Sequence, residues 1–482
     1  MLRVSSYTIF VPIPHETKYI LVHGYTGSLD LLDSDLAKRL FSSQLSNRSA
    51  LINDLTTGLS NYLEERGYLT RKTVAEEVDC FREIAAMSRK HQLSLPPKIY
   101  LMPTLECNLR CTYCFEHPIR STGRREGWAG TMLDHNRIAA AFWAMDELYT
   151  NSSTKSVTLY GGEALMPENR QCIEQILQSA RDRGYSVMAA THGKDLDEYL
   201  DLLGHGGISA LHVPVDGVQE THDKLRYGPG RSPTFKRIIA NLHLALARGV
   251  WVRMRVNVNR KVLEQLDEFA DFLEAEGFTH SSLFSCYLNA VFPTVPSSSR
   301  QYQSRSYVTE YEIAEVLAKS TRLSRLFSGY PVIHERIYSL FSEEPHVALS
   351  PTHCCAGGGT LIFDPLGRIY PCNFMVGEQE HQIGTFYPRL AWDETVRRAW
   401  QERSVENIQA AGMCKYALLC GGGSPYDAYT RTQSIVDKSC NCEKFEKTFA
   451  GYVVSAYYRF SNHTESTLDD RLITGGQYVR SQ

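Results

Sequence analysis

Short β-rich segments alternate with amphipathic segments of helical length between residues 98 and 290, and this alternation constrains the fold more than any other feature. Several of the helical segments end at a glycine, which suits a helix C-cap. Repeated βα units predict a parallel sheet, and six units instead of the usual eight predict a partial (β/α)6 barrel, open on one side. The six candidate strands are residues 98–106, 156–163, 185–193, 208–217, 251–258 and 279–287.

The segments on either side of the predicted barrel have a different character. The first 95 residues contain two strand-like runs followed by helical stretches, which predicts a small α+β unit, and Pro96 and Pro97 form a plausible boundary. A polar linker with helices, a cysteine-rich region and a polar tail, expected to be frayed from residue 460, follow the barrel. The predicted fold class is α/β, with five segments at 1–95, 96–290, 291–349, 350–450 and 451–482.

The composition argues against several classes of function. The 482 residues are 43% hydrophobic and 22% charged, and the formal net charge is −3. Such a balance is typical of soluble globular proteins and gives no bulk attraction for nucleic acid or an anionic membrane. The chain has no long apolar run, and Pro12 and Pro14 interrupt its opening segment. We therefore expect a cytoplasmic protein without nucleic-acid or membrane partners.

The thirteen cysteines are clustered, and their positions suggest metal ligands. A reducing cytosol disfavours a disulfide framework, so clustered thiols indicate metal binding or catalysis. Cys80, Cys172 and Cys286 stand alone and are expected to be small buried hydrophobic residues. The clustered cysteines are three near the first barrel strand, at 107, 111 and 114, and seven at 354, 355, 372, 414, 420, 440 and 442.

The sequence C-N-L-R-C-T-Y-C places three thiols, those of Cys107, Cys111 and Cys114, in one short loop after the first predicted strand. Iron–sulphur clusters are usually held by four cysteines, so three ligands at the C-terminal mouth of a barrel leave one iron for a substrate or cofactor. The alternatives are a zinc site without its fourth ligand and a chance spacing.

This loop resembles the signature of the radical S-adenosylmethionine (SAM) enzymes, C-x3-C-x2-C with an aromatic residue, here Tyr113, before the last cysteine. The resemblance implies a 4Fe-4S cluster whose open iron chelates the amino and carboxylate groups of SAM. One electron then cleaves SAM to methionine and a 5′-deoxyadenosyl radical, so an electron donor such as flavodoxin or ferredoxin is also implied.

Further segments resemble landmarks of the same family, in order, at the ends of later strands. Three positions depart from the usual pattern: His192 stands where Asn is usual, Pro214, in VPVDG, stands where Ser is usual, and Ala164 stands where Pro is common. Proline cannot donate a hydrogen bond, so a SAM contact expected at residue 214 must come from elsewhere. The SAM contacts that the resemblance implies are Gly161, Gly162, Glu163, His192, Arg226, which would pair with the SAM carboxylate, and Arg255.

The cysteine-rich region resembles the SPASM and the shorter twitch extensions, which house auxiliary iron–sulphur clusters. Cys414 and Cys420 keep the expected five-residue gap, but Ala411 and Ser424 occupy the two outer ligand positions. The usual set of cysteine ligands for two clusters is therefore incomplete. The chain could hold one or two auxiliary clusters, and two are favoured; zinc bound by the same cysteines is a further alternative. The implied ligands are Cys354, Cys355, Cys372, Cys414, Cys420, Cys440 and Cys442.

The N-terminal unit is similar to the peptide-recognition winged helix found in many enzymes that modify ribosomally made precursor peptides (RiPPs); its alternative is an auxiliary packing domain. The loop 117–132, with Arg124 and Arg125, is long for a βα connection and could cover the SAM site or steer an acidic peptide. We predict a radical SAM peptide maturase that forms a crosslink, a thioether or an epimer. The alternatives are an anaerobic sulfatase-type maturase, which forms formylglycine, and a non-catalytic metal-binding peptide scaffold.

Overall fold

The chain divides into two compact units in the computed structural model. The N-terminal unit comprises residues 1–92, 310–354 and 403–482, and the sheet unit comprises residues 93–309 and 355–402. The structure describes residues 2–46, 52–116, 130–149, 154–291, 306–341, 349–357, 359–408, 411–439, 442–461 and 472–473.

Among the described residues of the first 94, there are five short strands and three α-helices. The strands are β1 (Arg3–Val4), β2 (Thr8–Pro12), β3 (Lys18–His23), β4 (Leu29–Asp33) and β5 (Leu69–Thr70), and the helices are α1 (Ser34–Ser46), α2 (Thr57–Glu65) and α3 (Val74–Ser94).

Strands β2, β3 and β4 form an antiparallel meander, one strand more than the two runs expected from the sequence. The extra strand β4 has four buried residues in its LDLLD sequence, so its pattern lacks the alternation that identifies a strand. Leu32 of β4 packs in a core with apolar side chains of α1, α2 and β3, among them Leu21, Leu36 and Leu63. The predicted winged-helix character of this unit stays a prediction.

The central part of the chain alternates strands and helices as the sequence indicates. Its elements are β6 (Lys98–Leu101), α4 (His135–Leu148), β7 (Lys155–Leu159), α5 (Arg170–Arg183), β8 (Tyr185–Ala190), β9 (Ile208–Pro214), α6 (Gln219–Leu225), α7 (Phe235–Ala247), β10 (Trp251–Val258), α8 (Arg260–Glu264), α9 (Leu266–Ala275) and β11 (Phe284–Ala290).

Local sequence signals begin and end these helices. The side chain of Asp134 accepts the backbone N–H of Arg137 and caps the N-terminus of α4. Helix α5 ends at Gly184, which adopts the left-handed conformation, with φ 74°, that a C-cap needs.

Strands β6 to β11 are all parallel and neighbour one another in chain order. The prediction of six parallel strands is therefore confirmed. Strands β6 to β9 are shorter at their C-terminal ends than expected, because residues such as 102–106 form loops there. Strand β10 has the expected bounds, and the last strand lies at 284–290 instead of 279–287. Residues 278–280 form a 3₁₀ turn that the apolar run alone does not reveal.

The remaining elements belong to both units. Strand β13 pairs parallel to β6 in the sheet unit, and β14, β15 and β16 continue that sheet in antiparallel fashion. The elements are α10 (Glu310–Lys319), α11 (Thr321–Leu326), β12 (Phe327–Ser328), α12 (Pro331–Leu340), β13 (Thr360–Phe363), β14 (Arg368–Tyr370), β15 (Gly384–Thr385), β16 (Ala391–Trp392), α13 (Glu394–Glu402), α14 (Ala417–Cys420), α15 (Pro425–Thr432), α16 (Cys442–Phe460) and β17 (Leu472–Ile473).

Two observations bear on the predicted segments. The cysteine-rich segment 350–450 is divided between the units, since residues 355–402 group with the sheet and residues from 403 onward with the N-terminal unit. Strand β17, in the tail that was expected to be frayed, pairs with β4. The five segment boundaries stay predictions. Across the described ranges, no helix is long and apolar enough to cross a membrane.

Leu101 tests how much the sheet unit depends on the centre of its sheet. Its side chain is fully buried, and the residue pairs with Leu159 on β7 and Phe363 on β13. Leu101→Ala should destabilise the protein by about 2–5 kcal/mol and lower its thermal midpoint by several degrees in calorimetry. Trp143→Ala, at a side chain that is 53% exposed on α4, is the control and should change little. Equal shifts for the two variants would contradict this description of the core.

Candidate active site

The cysteine loop lies at the C-terminal end of β6, where parallel strands of such sheets carry their functional residues. Two backbone hydrogen bonds fix it to the chain around Arg226. The N–H of Arg110 donates to the carbonyl of Tyr227 at 2.8 Å, and that of Thr112 donates to the carbonyl of Leu225 at 3.0 Å. The loop and Arg226 are therefore held side by side.

The three thiols of this loop influence one another. Burial raises the pKa of the Cys111 thiol to about 12; the nearby charge of Arg226 opposes this rise, and Cys114 and Cys107 add to it. The backbone N–H of Leu109 donates to Sγ of Cys107 at 3.4 Å, a bond of the kind that tunes sulphur ligands. The Cys111 thiol is therefore influenced by both neighbouring thiols and by one buried guanidinium.

Tyr113, a residue of the cysteine loop, lies at the centre of a hydrogen-bonded network. Its hydroxyl donates to Asp216 and accepts from Arg226 Nη2 at 2.7 Å and from Asn257 Nδ2 at 3.1 Å. Asn257 Nδ2 also donates to Asp216 at 3.0 Å. The network joins the loop to residues that follow β9 and α6 and to one within β10.

Arg226 and Asp216 form the ionic part of this network. Burial alone would raise the pKa of Asp216, but the charge of Arg226 holds it below its ordinary value. Nε of Arg226 lies 3.4 Å from Asp216 Oδ2 and makes no hydrogen bond within the described part of the chain. A buried donor without a hydrogen bond is costly, so this atom fits a site for an additional acceptor.

Gly161 and Gly162 both adopt positive φ angles, 89° and 48°, after β7. A Cβ at residue 161 would lie 2.3 Å from Met102 Cε, and one at residue 162 would lie 2.3 Å from the carbonyl oxygen of Glu106. Any larger residue would therefore clash with the segment that leads into the cysteine loop. The N–H of Gly162 donates to the carboxylate of Glu116 at 3.0 Å.

Glu163 is buried, and its carboxylate accepts three hydrogen bonds from the protein. The donors are the hydroxyl of Thr191 at 2.6 Å and the N–H groups of His192 at 2.6 Å and Leu165 at 2.9 Å. Burial outweighs these bonds and raises its pKa to about 7. The side chain thus joins the ends of β7 and β8, while the backbone of the glycine turn faces the neighbouring loop.

His192 is neutral, because burial holds its pKa well below its ordinary value, as do the charges of Arg226 and Lys194. Its Nδ1 accepts the N–H of Lys194 at 3.0 Å, so Nε2 carries the proton and donates to Asn108 Oδ1 at 2.7 Å. Asn108 Nδ2 donates in turn to Asp195 at 2.7 Å. His192 therefore connects the strand end to the cysteine loop.

Arg255 behaves differently from the other predicted SAM contacts. Its side chain is exposed on β10, although its neighbours Met254 and Val256 are fully buried. Its backbone carbonyl accepts the N–H of Val215 at 2.9 Å, beside Pro214. The structure therefore gathers five of the six predicted contacts into buried networks and leaves the sixth side chain accessible.

The auxiliary cysteines are divided between the two units. In the N-terminal unit, the His353 ring donates to the carbonyl of Cys420 at 3.1 Å, which brings the segments of Cys354 and Cys420 together. Cys414 lies at the edge of the core around Tyr7 and Phe81.

The sheet unit carries two further auxiliary cysteines. Cys355 begins a 3₁₀ turn, and Cys372 is buried beyond β14. Cys442 is the first residue of α16, whereas Cys440 and the loop 117–129 lie outside the described residues. Within the described ranges, no three His, Cys, Asp or Glu side chains converge in a metal-binding arrangement.

The chemistry of the loop fits a cluster with three thiolate ligands. It supplies three cysteines within eight residues, an N–H donor to the sulphur of one of them, and the buried charge of Arg226, which partly opposes the effect of burial on the Cys111 thiol. The orphaned Nε of Arg226 fits an anionic group bound beside the loop.

Several residues of this site are not evident from the sequence. Asn108 bonds to His192 after β8, and Glu116 bonds to Gly162 after β7. Only the register of the sheet brings these residues close to their partners. The only signal in the sequence is their position within or beside the cysteine loop. Asp216 and Asn257 lie in segments that the family resemblance did include.

Residues 101–273 match the Radical SAM superfamily, a range that includes the cysteine loop and every residue of the networks described above. These residues form a radical SAM domain. This domain begins within β6 and ends in α9, so it covers most of the parallel sheet.

Similar proteins include a sulfatase-maturating enzyme and two solved structures. The cysteine-type anaerobic sulfatase-maturating enzyme of Clostridium novyi is 22% identical over 71% of this chain and 91% of that protein. The structure of anSMEcpe with bound AdoMet has a TM-score of 0.58, with 15% identity, and the match covers 78% of this chain and 97% of the other. Streptococcus suis SuiB has a TM-score of 0.52, with 15% identity, over 91% and 99% of the two chains.

The raised pKa of Glu163 predicts a pH-dependent stability. The folded protein keeps this carboxyl protonated up to about pH 7, whereas the unfolded chain loses the proton near its ordinary value of 4.5. This contribution is therefore greatest below pH 4.5 and declines by about 3 kcal/mol as the pH rises to 7.

Glu163→Gln removes the titration. The thermal midpoint of the variant, relative to that of the parent protein, should therefore rise by several degrees between pH 5 and pH 8. Scanning calorimetry of both proteins at each pH measures the difference. A difference that does not change with pH would contradict the buried, raised carboxyl.

Proposed function

We propose that this enzyme is a peptide maturase that uses a 5′-deoxyadenosyl radical to abstract hydrogen from a ribosomally made precursor peptide. The observation that carries the proposal is the cysteine loop, fixed beside a buried arginine with an orphaned Nε at the C-terminal end of a parallel sheet. A crosslink, a thioether and an epimer are all products of such chemistry.

Cys107, Cys111 and Cys114 would hold the 4Fe-4S cluster. The cluster and SAM, when bound, supply the electron and the radical precursor. The orphaned Nε of Arg226 supports its assignment to the SAM carboxylate, and Tyr113 and Asp216 orient the guanidinium.

The remaining residues of the SAM site have positioning roles. The turn at Gly161 and Gly162 allows close backbone approach to the cofactor, and Glu163 fixes that turn against β8 through its three hydrogen bonds. His192 fixes the cysteine loop through Asn108. Arg255 is the accessible cation of the set and would contact SAM from the open face of the sheet.

The auxiliary cysteines would hold one or two further iron–sulphur clusters. These clusters would accept the electron that a substrate radical releases when it closes a ring. The ligands would come from Cys354, Cys355, Cys372, Cys414, Cys420, Cys440 and Cys442.

The partners follow from the same chemistry. The N-terminal unit, with its antiparallel β2–β4 meander, is the part of the chain that we assign to recognition of the precursor. A flavodoxin or ferredoxin would supply the electron, and a cytoplasmic location agrees with the need for a reduced cluster.

A second candidate is oxidation of Cys or Ser to formylglycine in a sulfatase. The similarity to the Clostridium novyi enzyme over 71% of this chain favours it. The absence of cysteine at positions 411 and 424 argues against it, because the seven-cysteine pattern is broken. Trapping an aldehyde on the product separates this candidate from the first. The third alternative, a non-catalytic scaffold, disagrees with membership of a superfamily of enzymes.

Replacing Cys107, Cys111 and Cys114 together by Ala should reduce the formation of 5′-deoxyadenosine to background, because no other group in the loop can hold the reducible cluster. The assay is anaerobic incubation with dithionite and SAM, followed by chromatography. Cys172→Ala, at a buried cysteine on α5, is the control and should keep the activity. Iron bound at the auxiliary cysteines should persist in the triple variant; loss of every cluster together would contradict separate sites.

Reconstituted protein should bind about eight to twelve irons per chain, as expected for two or three clusters of four. Its absorbance should include a broad charge-transfer band that reduction bleaches. Chemical iron analysis and anaerobic spectroscopy provide the measurement. Zinc at these sites, with no iron after reconstitution, would disprove the proposal.

A further inference from the structure

The sheet that contains the β2–β4 meander has two edges, because its strands lie in the order β17, β4, β3, β2. Strand β2 forms one edge. On the other side, β4 pairs in parallel with β17, where Leu472 lies opposite Leu31 and Ile473 lies opposite Leu32. The outer edge of a strand presents backbone N–H and carbonyl groups that can accept a further strand. The outer edges of β2 and β4 can therefore be compared as places for an added peptide.

The outer edge of β2 is obstructed at both ends. The N–H of Gly24 donates to the carbonyl of Tyr7 at 3.0 Å. Because an antiparallel ladder alternates, Thr8 and every second residue after it direct their backbone groups to the outer edge. The carbonyl of Thr8 already accepts a hydrogen bond from Gln44 Nε2 at 3.0 Å, and Pro12, at the other end, has no N–H to donate. Little of this edge is left for a peptide.

The outer edge of β4 is arranged differently. The N–H of Ser34 donates to the carbonyl of Thr17 at 3.0 Å, so the even-numbered residues of β4 bond to β3. The odd-numbered residues, Leu29, Leu31 and Asp33, direct their backbone groups away from β3, and β17 lies along this side of the strand. A segment of this chain thus already uses the β4 edge in the way an added peptide would use it.

Asp30 fixes β4 in place without any contribution from β17. Its buried carboxylate accepts hydrogen bonds from Arg66 Nε at 2.7 Å and from the hydroxyls of Tyr68 at 2.7 Å and Tyr62 at 2.6 Å. Arg66 also donates to the carbonyl of Leu29 at 3.0 Å, which marks one end of the accepting edge. The edge is therefore preorganised, and we expect it to persist when β17 leaves it.

We propose that the strand Leu472–Ile473 covers the β4 edge in the free enzyme, and that an extended segment of the precursor peptide displaces this strand when it binds. The proposal rests on the assignment of the β2–β4 meander to precursor recognition. It adds the edge that the precursor uses and an intramolecular competitor for that edge.

The length of the connection and of the strand suits such a competitor. Eleven residues separate the end of α16 at Phe460 from Leu472. A strand on so short a connection has an effective concentration on the order of millimolar at its own edge, so it competes without tight binding. Because only two of its residues pair with β4, a peptide that pairs along more of the edge can displace it.

The test measures peptide binding without turnover, by fluorescence anisotropy. The first probe is a fluorescein-labelled synthetic peptide with the sequence of residues 467–478, TLDDRLITGGQY. The second probe has proline in place of its adjacent Leu and Ile, so it cannot donate backbone hydrogen bonds there.

Three full-length, reconstituted proteins are compared with both probes. They are the parent, the double variant Leu472→Pro with Ile473→Pro, and a control, Val479→Pro with Arg480→Pro, which places two prolines seven residues further along the same tail. Iron content and circular dichroism check that each protein is folded and loaded.

The double variant should bind the first probe about tenfold more tightly than the parent does, as expected if the chain's own strand occupies the edge in about nine of ten parent molecules. The control variant should bind this probe like the parent. The proline probe should bind the double variant much more weakly than the first probe, because strand addition depends on backbone N–H groups.

Equal affinity of the parent and the double variant for the first probe would overturn the proposal, as would equal binding of the two probes to the double variant. A parent that sediments as a dimer, beside a monomeric double variant, would assign the strand to a second copy and would also overturn it. If the competition is found but no 5′-deoxyadenosine forms in any assay, the covered edge stands and the proposed function fails.

Discussion

The buried contact between Arg226, Asp216 and Tyr113 is the interaction on which the candidate active site depends. Tyr113 belongs to the cysteine loop, Asp216 follows β9, Arg226 follows α6, and Asn257 completes the network from β10. A buried ion pair is costly to break, because removing one partner leaves an uncompensated charge. The network therefore fixes the loop to the sheet while it keeps a cation beside the thiols, where a metal cluster needs it.

A second set of contacts fixes the same loop from the other side. Glu163 joins the ends of β7 and β8, and His192 reaches Asn108 in the loop. The two sets are built from different side chains, yet both connect successive strand ends to one segment of eight residues. This arrangement explains why β6 to β9 end earlier than predicted: the residues just after these strands are committed to side-chain bonds and tight glycine turns rather than to the ladder.

The sequence predicts the parts of this protein that repeat and not the parts that depend on contacts between distant residues. Apolar periodicity identifies the six parallel strands, and the cysteine spacing identifies the loop. Strand β4 is not among the two predicted runs, because four of the five residues of LDLLD are buried and the run lacks alternation. Asn108 and Glu116 are not among the predicted site residues, because their roles depend on register.

The central claim is that three cysteines leave one iron open to SAM beside Arg226. Electron paramagnetic resonance of the anaerobically reduced, reconstituted protein tests it most directly. We predict that adding SAM changes the g-values of one cluster signal, and that Arg226→Gln weakens the SAM concentration dependence of that change. A spectrum of the parent protein that stays the same at saturating SAM would contradict the account.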